Sequence, residues 1–341
     1  MMKDVAEQLL QKTFTPHPAL RNAHAQTLAG YLIRRRTPLL DDNTEERLFR
    51  VAPNARLLAH CSWHKERASR PTLVVAHGLE GSSISSYMLG TAEKALRAGF
   101  NCVRLNFRNC GGTAHLSDTL YHAGLTGDLR AVVDELIERD QLNDIYLVGF
   151  SLGGNVALKL AGEYGRDAPS ALRGVIAVSP SIHLSSCART IERRSNRLYH
   201  LSFLNSLRKS LRAKARLFPD RYDASHLKRI KSIRQFDETY VAPHWGFRDA
   251  EDYYARASAL PLVGRIQIPT LLLHAKDDPF IPFDQFESRE IEENPFILLL
   301  ATERGGHVGF IARTREDRFW YEAMTAEFVR LTSRCRIEVP A

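Results

Sequence analysis

Ile145-Tyr146-Leu147-Val148-Gly149-Phe150-Ser151-Leu152-Gly153-Gly154-Asn155 decides the fold. Its first half is an unbroken apolar, β-branched and aromatic run, and its second half opens a helical pattern that continues to Tyr164. A buried strand must therefore become a helix within the few residues around Ser151. Glycines two residues before and two after the serine suit so sharp a turn, because it strains the serine backbone and crowds its neighbours. A turn of this kind lifts a hydroxyl out of the end of a sheet, which makes Ser151 a candidate nucleophile. The Gly-x-Ser-x-Gly string alone is weak; the strand before it and the helix behind it give it weight.

Outward from this stretch, strand-like runs at 72–76 (TLVVA), 100–105 (FNCVRL), 174–179 (GVIAVS), 270–274 (TLLLH) and 295–301 (PFILLLA) alternate with helix-like stretches. Those stretches lie near 86–98, 128–139, 151–164 and 314–333. Runs apolar on both faces, separated by helices, predict an α/β fold with a mostly parallel central sheet covered on both sides. Upstream, 48–51 and 55–61 flank Pro53-Asn54 and read as a hairpin leading into that sheet. The rhythm breaks between 182 and 262. The expected organisation is thus a core in two parts, 1–181 and 263–341, with 182–262 as an inserted helical cap over the carboxyl ends of the strands.

Charge singles out the same insertion. The chain of 341 residues carries a formal net charge of +8. From Arg189 to Arg234 there are fourteen Lys and Arg against three acids, a balance of +11, so the rest of the chain sums to −3. A local basic segment attracts acidic partners, whereas a diffuse excess mainly keeps a protein soluble. Within it, Leu201, Leu204, Leu207, Leu211, Ala215 and Phe218 recur with a helical period among Arg208, Lys209, Arg212, Lys214 and Arg216. Such a helix either packs its leucines onto the core or lies on an anionic membrane surface. No nucleic-acid module accompanies the charge, and nucleic acid is not an expected partner. The five cysteines (Cys61, Cys102, Cys110, Cys187, Cys335) are scattered without metal-ligand spacing, and no secretory or membrane-spanning run is present. A cytoplasmic enzyme without metal or other cofactor is the expectation; Gly-rich phosphate-binding patterns are also missing.

A serine hydroxyl needs a base. His307, in Arg304-Gly305-Gly306-His307-Val308-Gly309 after the last strand-like run, is the candidate. An acid to hold the imidazole comes from Lys276-Asp277-Asp278-Pro279-Phe280-Ile281-Pro282. Two aspartates compete, and Asp278 is preferred for the proline four residues beyond it. The order Ser, Asp, His along the chain suits this architecture. His77-Gly78-Leu79-Glu80-Gly81 follows the run 72–76 and brings the backbone N–H of Leu79 beside that of Leu152 as an oxyanion hole. His77 reads as a residue that shapes this loop, and Cys110 as a small buried side chain.

The ordered set HGLEG, FRNCGG, GFSLGGN, AKDDPFIP and GGHVGF resembles the YheT-like branch of the α/β-hydrolases, relatives of the abhydrolase-domain lipases. The stretch from Thr15-Pro16-His17-Pro18 to Gln26-Thr27-Leu28 looks like the amino-terminal segment of that branch, so the resemblance covers nearly the whole chain. It departs at Asn109, where many α/β-hydrolases carry glycine. The resemblance implies cleavage of carboxylic, lipid-like esters by Ser151, Asp278 and His307 through an acyl-enzyme. Transfer of the acyl group to an alcohol, or a non-catalytic binding protein on the same scaffold, are the alternatives.

Overall fold

The computed structural model describes residues 2–333; Met1 and the fifth cysteine, Cys335, lie outside them. Among the described residues eight strands form one sheet: β1 (Thr44–Ala52), β2 (Ala55–Ser62), β3 (Thr72–Ala76), β4 (Asn101–Leu105), β5 (Ile145–Phe150), β6 (Leu172–Val178), β7 (Thr270–Ala275) and β8 (Ile297–Thr302). Their order is β1-β2-β4-β3-β5-β6-β7-β8. β1 and β2 make the expected antiparallel hairpin and β2 meets β4 antiparallel, while every pairing from β4 to β8 is parallel.

Side chains of the central strands alternate between two apolar layers, and both are buried. Leu147, Val175, Ala177 and Leu272 pack with the helices Thr126–Glu138 and Leu152–Tyr164. Tyr146, Val148, Ile176 and Leu273 pack with Ser86–Arg97 and Trp320–Thr332. Parallel strands buried on both faces leave no polar alternation in the sequence, which is why these runs read as continuous.

The last helix begins at Trp320, later than the stretch 314–333 suggests. Ile311 bridges Phe319, Ala312 N–H donates to Arg318 O at 2.8 Å, and Trp320 N–H to Phe310 O at 3.0 Å. The chain is pinned by buried apolar residues at both ends of this loop. Between them the run Arg313-Thr314-Arg315-Glu316 is exposed and offers no apolar face to hold a helix.

Between β6 and β7 the chain is helical, with Leu184–Ile191, Arg197–Leu217 and Ala250–Ala257 as its longer helices. Of the two faces open to the basic helix, the leucines pack inward: Leu204, Leu207 and Leu211 are buried. Lys214 is buried with them, its ammonium donating to the carbonyls of Ala114, at 2.9 Å, and Ser117. The exposed leucines lie elsewhere on this helix, Leu198 and Leu201 near its start and Leu217 at its end. No helix among the described residues is long and apolar enough to cross a membrane.

Candidate active site

Four loops meet at the carboxyl ends of β3, β5, β7 and β8, the edge where open α/β sheets bind ligands. Ser151 follows β5 directly and has φ 52° and ψ −115°, a conformation that costs an L-residue strain. The turn closes only because its neighbours lack side chains. A Cβ on Gly149 would collide with the Gly153 carbonyl, and one on Gly153 with the carbonyls of Ala76 and His77. Asn155, one turn into the helix, is buried and spends its amide on Ala123 O (2.8 Å), Ala257 O (2.9 Å) and Ala259 N–H (2.8 Å). The motif that carries Ser151 thereby also anchors the end of the helical segment.

Asp278 and His307 meet. His307 Nδ1 donates to Asp278 Oδ2 at 2.8 Å, while Asp278 Oδ1 accepts the N–H groups of Phe280 (2.8 Å) and Ile281 (3.0 Å). The Asp278 side chain is fully buried. Burial alone would raise its pKa, but the imidazole and the backbone donors outweigh it and hold the carboxyl below its ordinary range. Asp277 faces the other way along the same loop and accepts Gly306 N–H at 2.9 Å, fixing the backbone next to His307. Ser151 and His307 both line a cavity of about 90 Å³, without a hydrogen bond between them. Such contacts are often long in a free enzyme and tighten around substrate.

The loop after β3 spends its other donors internally. Gly78 N–H goes to Tyr87 Oη (3.0 Å), Glu80 N–H to Tyr121 Oη (2.9 Å) and Gly81 N–H to Gly78 O (3.0 Å). Leu79 N–H has no acceptor among the described residues, nor does Leu152 N–H at the first turn of its helix. Leu79 and Leu152 also line the cavity. His77 is buried with both ring nitrogens on backbone, Nδ1 to Gly78 O at 2.7 Å and Nε2 accepting Phe107 N–H at 3.1 Å. Burial pushes its pKa down to about 4, so it is a neutral brace with no nitrogen left for proton transfer. Asn109 has φ 71°, a left-handed conformation that glycine adopts freely and that asparagine is among the few other residues to tolerate. Cys110 is buried, and burial raises its thiol pKa well above normal.

Three features escape a reading of motifs. Thr27 Oγ1 accepts His307 N–H at 2.9 Å, and Gln26 grips both the N–H and the carbonyl of Ile311, so the helix Ala23–Leu32, second in the chain, holds the histidine loop. The resemblance of the stretch ending Gln26-Thr27-Leu28 marked these residues without giving them a role, and their partners lie 280 or more positions away. Glu80 accepts Tyr121 Oη at 3.1 Å and Ser210 Oγ at 2.5 Å, linking the Leu79 loop to the basic helix. Asp237 is a buried carboxyl on the cavity wall.

This arrangement of sheet, elbow and carboxyl-end loops defines a class, and comparison with known proteins agrees. Residues 71–312 match the family described as "alpha/beta hydrolase fold". The chain is 33% identical over 322 residues to "Putative esterase YheT" of Escherichia coli (strain K12), covering 93% of this chain and 92% of that protein. It is 32% identical to "Monoacylglycerol lipase" of Saccharomyces cerevisiae over 77% of this chain, and spans 60% of that longer protein. The Pyrococcus furiosus esterase Pf2001 shares the fold at TM-score 0.59 and 17% identity, over 88% of this chain and 96% of its own. The chain belongs to the α/β-hydrolase family, in its esterase- and lipase-like YheT branch.

Proposed function

We propose that the protein is a serine hydrolase of carboxylic esters, with Ser151 as nucleophile, His307 as general base and Asp278 as its orienting acid. The observation that carries this reading is the hydrogen bond at 2.8 Å from His307 to the buried Asp278, beside the cavity that holds Ser151. With Nδ1–H fixed on Asp278, the imidazole presents Nε2 as acceptor. Nε2 takes the Ser151 proton as Oγ attacks the ester carbonyl, and the oxyanion accepts the Leu79 and Leu152 N–H groups. Collapse releases the alcohol with the proton from His307, leaving an acyl-serine; water, activated the same way, then frees the acid. The segment 182–262 acts as a cap, since Leu184, Phe203, Leu207 and Ile233 give the cavity its apolar wall. The test is labelling by a fluorophosphonate probe together with turnover of p-nitrophenyl esters of graded chain length. Ser151→Ala abolishes both with the fold intact; equal labelling of the variant refutes the assignment. Added alcohol, followed by product analysis, separates hydrolysis from acyl transfer.

The same reading includes contact with an anionic lipid surface, through a patch other than the buried leucines of the basic helix. Leu28, Tyr31 and Leu32 on the helix Ala23–Leu32, Ile84 after the Leu79 loop, and Leu198 and Leu201 are exposed. These segments are tied around the site: Ser86 Oγ donates to Tyr31 O at 3.2 Å, and Tyr199 Oη lies 3.3 Å from His24 Nδ1. Arg34, Arg36 and Arg197 flank them, exposed and without an ion pair among the described residues. An apolar rim edged by free cations matches an anionic interface.

A further inference from the structure

The cavity beside Ser151 is walled mainly by apolar side chains, yet the helical segment sets a carboxyl into it. Asp237 opens the π-turn Asp237–Val241, a rare backbone form that recurs at functional sites. Its side chain is among the buried polar groups and no cation pairs with it among the described residues. Oδ2 accepts Tyr254 Oη at 2.6 Å; Oδ1 has no partner among the described residues. Tyr253 lines the same cavity, its ring centroid 5.2 Å from that of Tyr254. The Tyr253 hydroxyl accepts Ala123 N–H at 2.9 Å and has no acceptor for its own proton among the described residues. The cavity therefore holds one unused acceptor and one unused donor on neighbouring side chains, within walls that offer little else polar.

A hydroxyl group, which donates once and accepts at its lone pairs, complements that pair. An ammonium would satisfy the carboxyl and leave the tyrosine proton unmet. We propose that Asp237 and Tyr253 form a hydroxyl-recognition subsite, so that the preferred substrates are esters bearing a free hydroxyl remote from the ester bond. This rests on the reading of Ser151 as nucleophile. Burial pushes Asp237 up to about 7, and in either protonation state the carboxyl keeps an oxygen able to accept from a hydroxyl. Were Asp237 only a tether for Tyr254, an amide would serve equally, since its carbonyl oxygen can accept the same bond.

The hydroxyl can sit on the acyl chain or on the alcohol, and matched esters separate the two. Ethyl hexanoate is compared with ethyl 6-hydroxyhexanoate for the first and with 2-hydroxyethyl hexanoate for the second, following released acid by pH-stat. The wild type should favour one hydroxylated ester by about ten- to a hundredfold in kcat/KM, the range of a hydrogen bond to a charged group. Asp237→Asn, which keeps an acceptor for Tyr254 but turns a donor toward the cavity, leaves the substrate hydroxyl's proton without an acceptor and should cut that preference severalfold. Tyr253→Phe should also reduce it. Equal kcat/KM for the plain and hydroxylated esters in the wild type, or a preference unchanged in both Asp237→Asn and Tyr253→Phe, overturns the proposal. Calorimetric binding of N-ethylhexanamide, N-ethyl-6-hydroxyhexanamide and N-(2-hydroxyethyl)hexanamide keeps the test independent of turnover. Tighter binding of a hydroxylated amide, weakened in Asp237→Asn, sustains the subsite even if no ester is cleaved, and it is then the reaction that is wrong. Equal binding of all three refutes the subsite. Should Asp237→Asn not fold, the wild-type ratios and Tyr253→Phe still decide.

Discussion

The sheet side and the helical side of the cavity are built on different terms. On the sheet side Ser151 and Asp278 follow strands buried on both faces and His307 follows the half-buried edge strand β8, each braced by hydrogen bonds that involve the backbone. On the helical side the wall comes from helices and a π-turn of the segment between β6 and β7, tied to the core by hydrogen bonds such as Asn155 to Ala257, Ser210 to Glu80 and Lys214 to Ala114. A rigid frame suits chemistry that must act on every substrate. A wall that lies outside the sheet suits selection, because its residues can change without disturbing the strands. Substitutions on the sheet side should therefore lower turnover of all esters together, and those on the helical side should alter ratios between esters.

The largest effect that tests this division is Asp278→Asn, which removes the charge that orients His307. In the serine-protease triad such a change costs about 10⁴ in kcat. Asp277→Asn, on the adjacent residue, should cost no more than about tenfold, because it weakens one hydrogen bond to Gly306 N–H. A larger loss at Asp277, measured as kcat on one p-nitrophenyl ester, would reverse the assignment of the two carboxylates.

Next in size is Ser210→Ala, which crosses the boundary between the two sides. It deprives Glu80 of one donor in the loop that presents Leu79. A fall in kcat of about three- to tenfold with KM little changed is expected, the mark of a displaced oxyanion donor. An unchanged kcat would mean the sheet side holds that loop unaided.

The smallest effect is at the rim. Co-sedimentation with vesicles should show the wild type binding anionic more than neutral lipid, less so at raised salt, since exposed charges are screened within about 8–10 Å. Changing Tyr31 and Leu198 to Ser and Arg34, Arg36 and Arg197 to Gln should abolish this while turnover of a soluble ester stays within about twofold. Indifference of the wild type to lipid charge removes the interface from the proposed function.

Legibility in the sequence follows the same boundary. The strand runs at 72–76 and 145–150 and the hairpin around Pro53-Asn54 could be read because local burial leaves a local pattern. The meeting of Asp278 with His307 was accessible through loop motifs that each follow a strand. The hold of Gln26 and Thr27 on the histidine loop was not, because it depends on contacts across almost the whole chain. Asp237 and Ser210 were also silent: an acid or a serine in a polar helix looks solvated until tertiary packing buries the one and pairs the other with Glu80. The same holds for Lys214, one of the cations interleaved with the leucine stripe, whose side chain is found inside.

The backbone of Ser151 bears on how long this fold lasts in the heat. At φ 52° and ψ −115° a side chain is a burden, and strain of this kind is worth about 1–3 kcal/mol. Glycine normally loses about 1 kcal/mol to alanine through its greater freedom when unfolded. Here the order should shrink or invert: Ser151→Gly is expected to melt no lower than Ser151→Ala, and above the native chain, by calorimetry. Ser151, as the proposed nucleophile, would then stand as the residue for which durability has been exchanged for reactivity, and a heat-resistant but inert form would lie one substitution away.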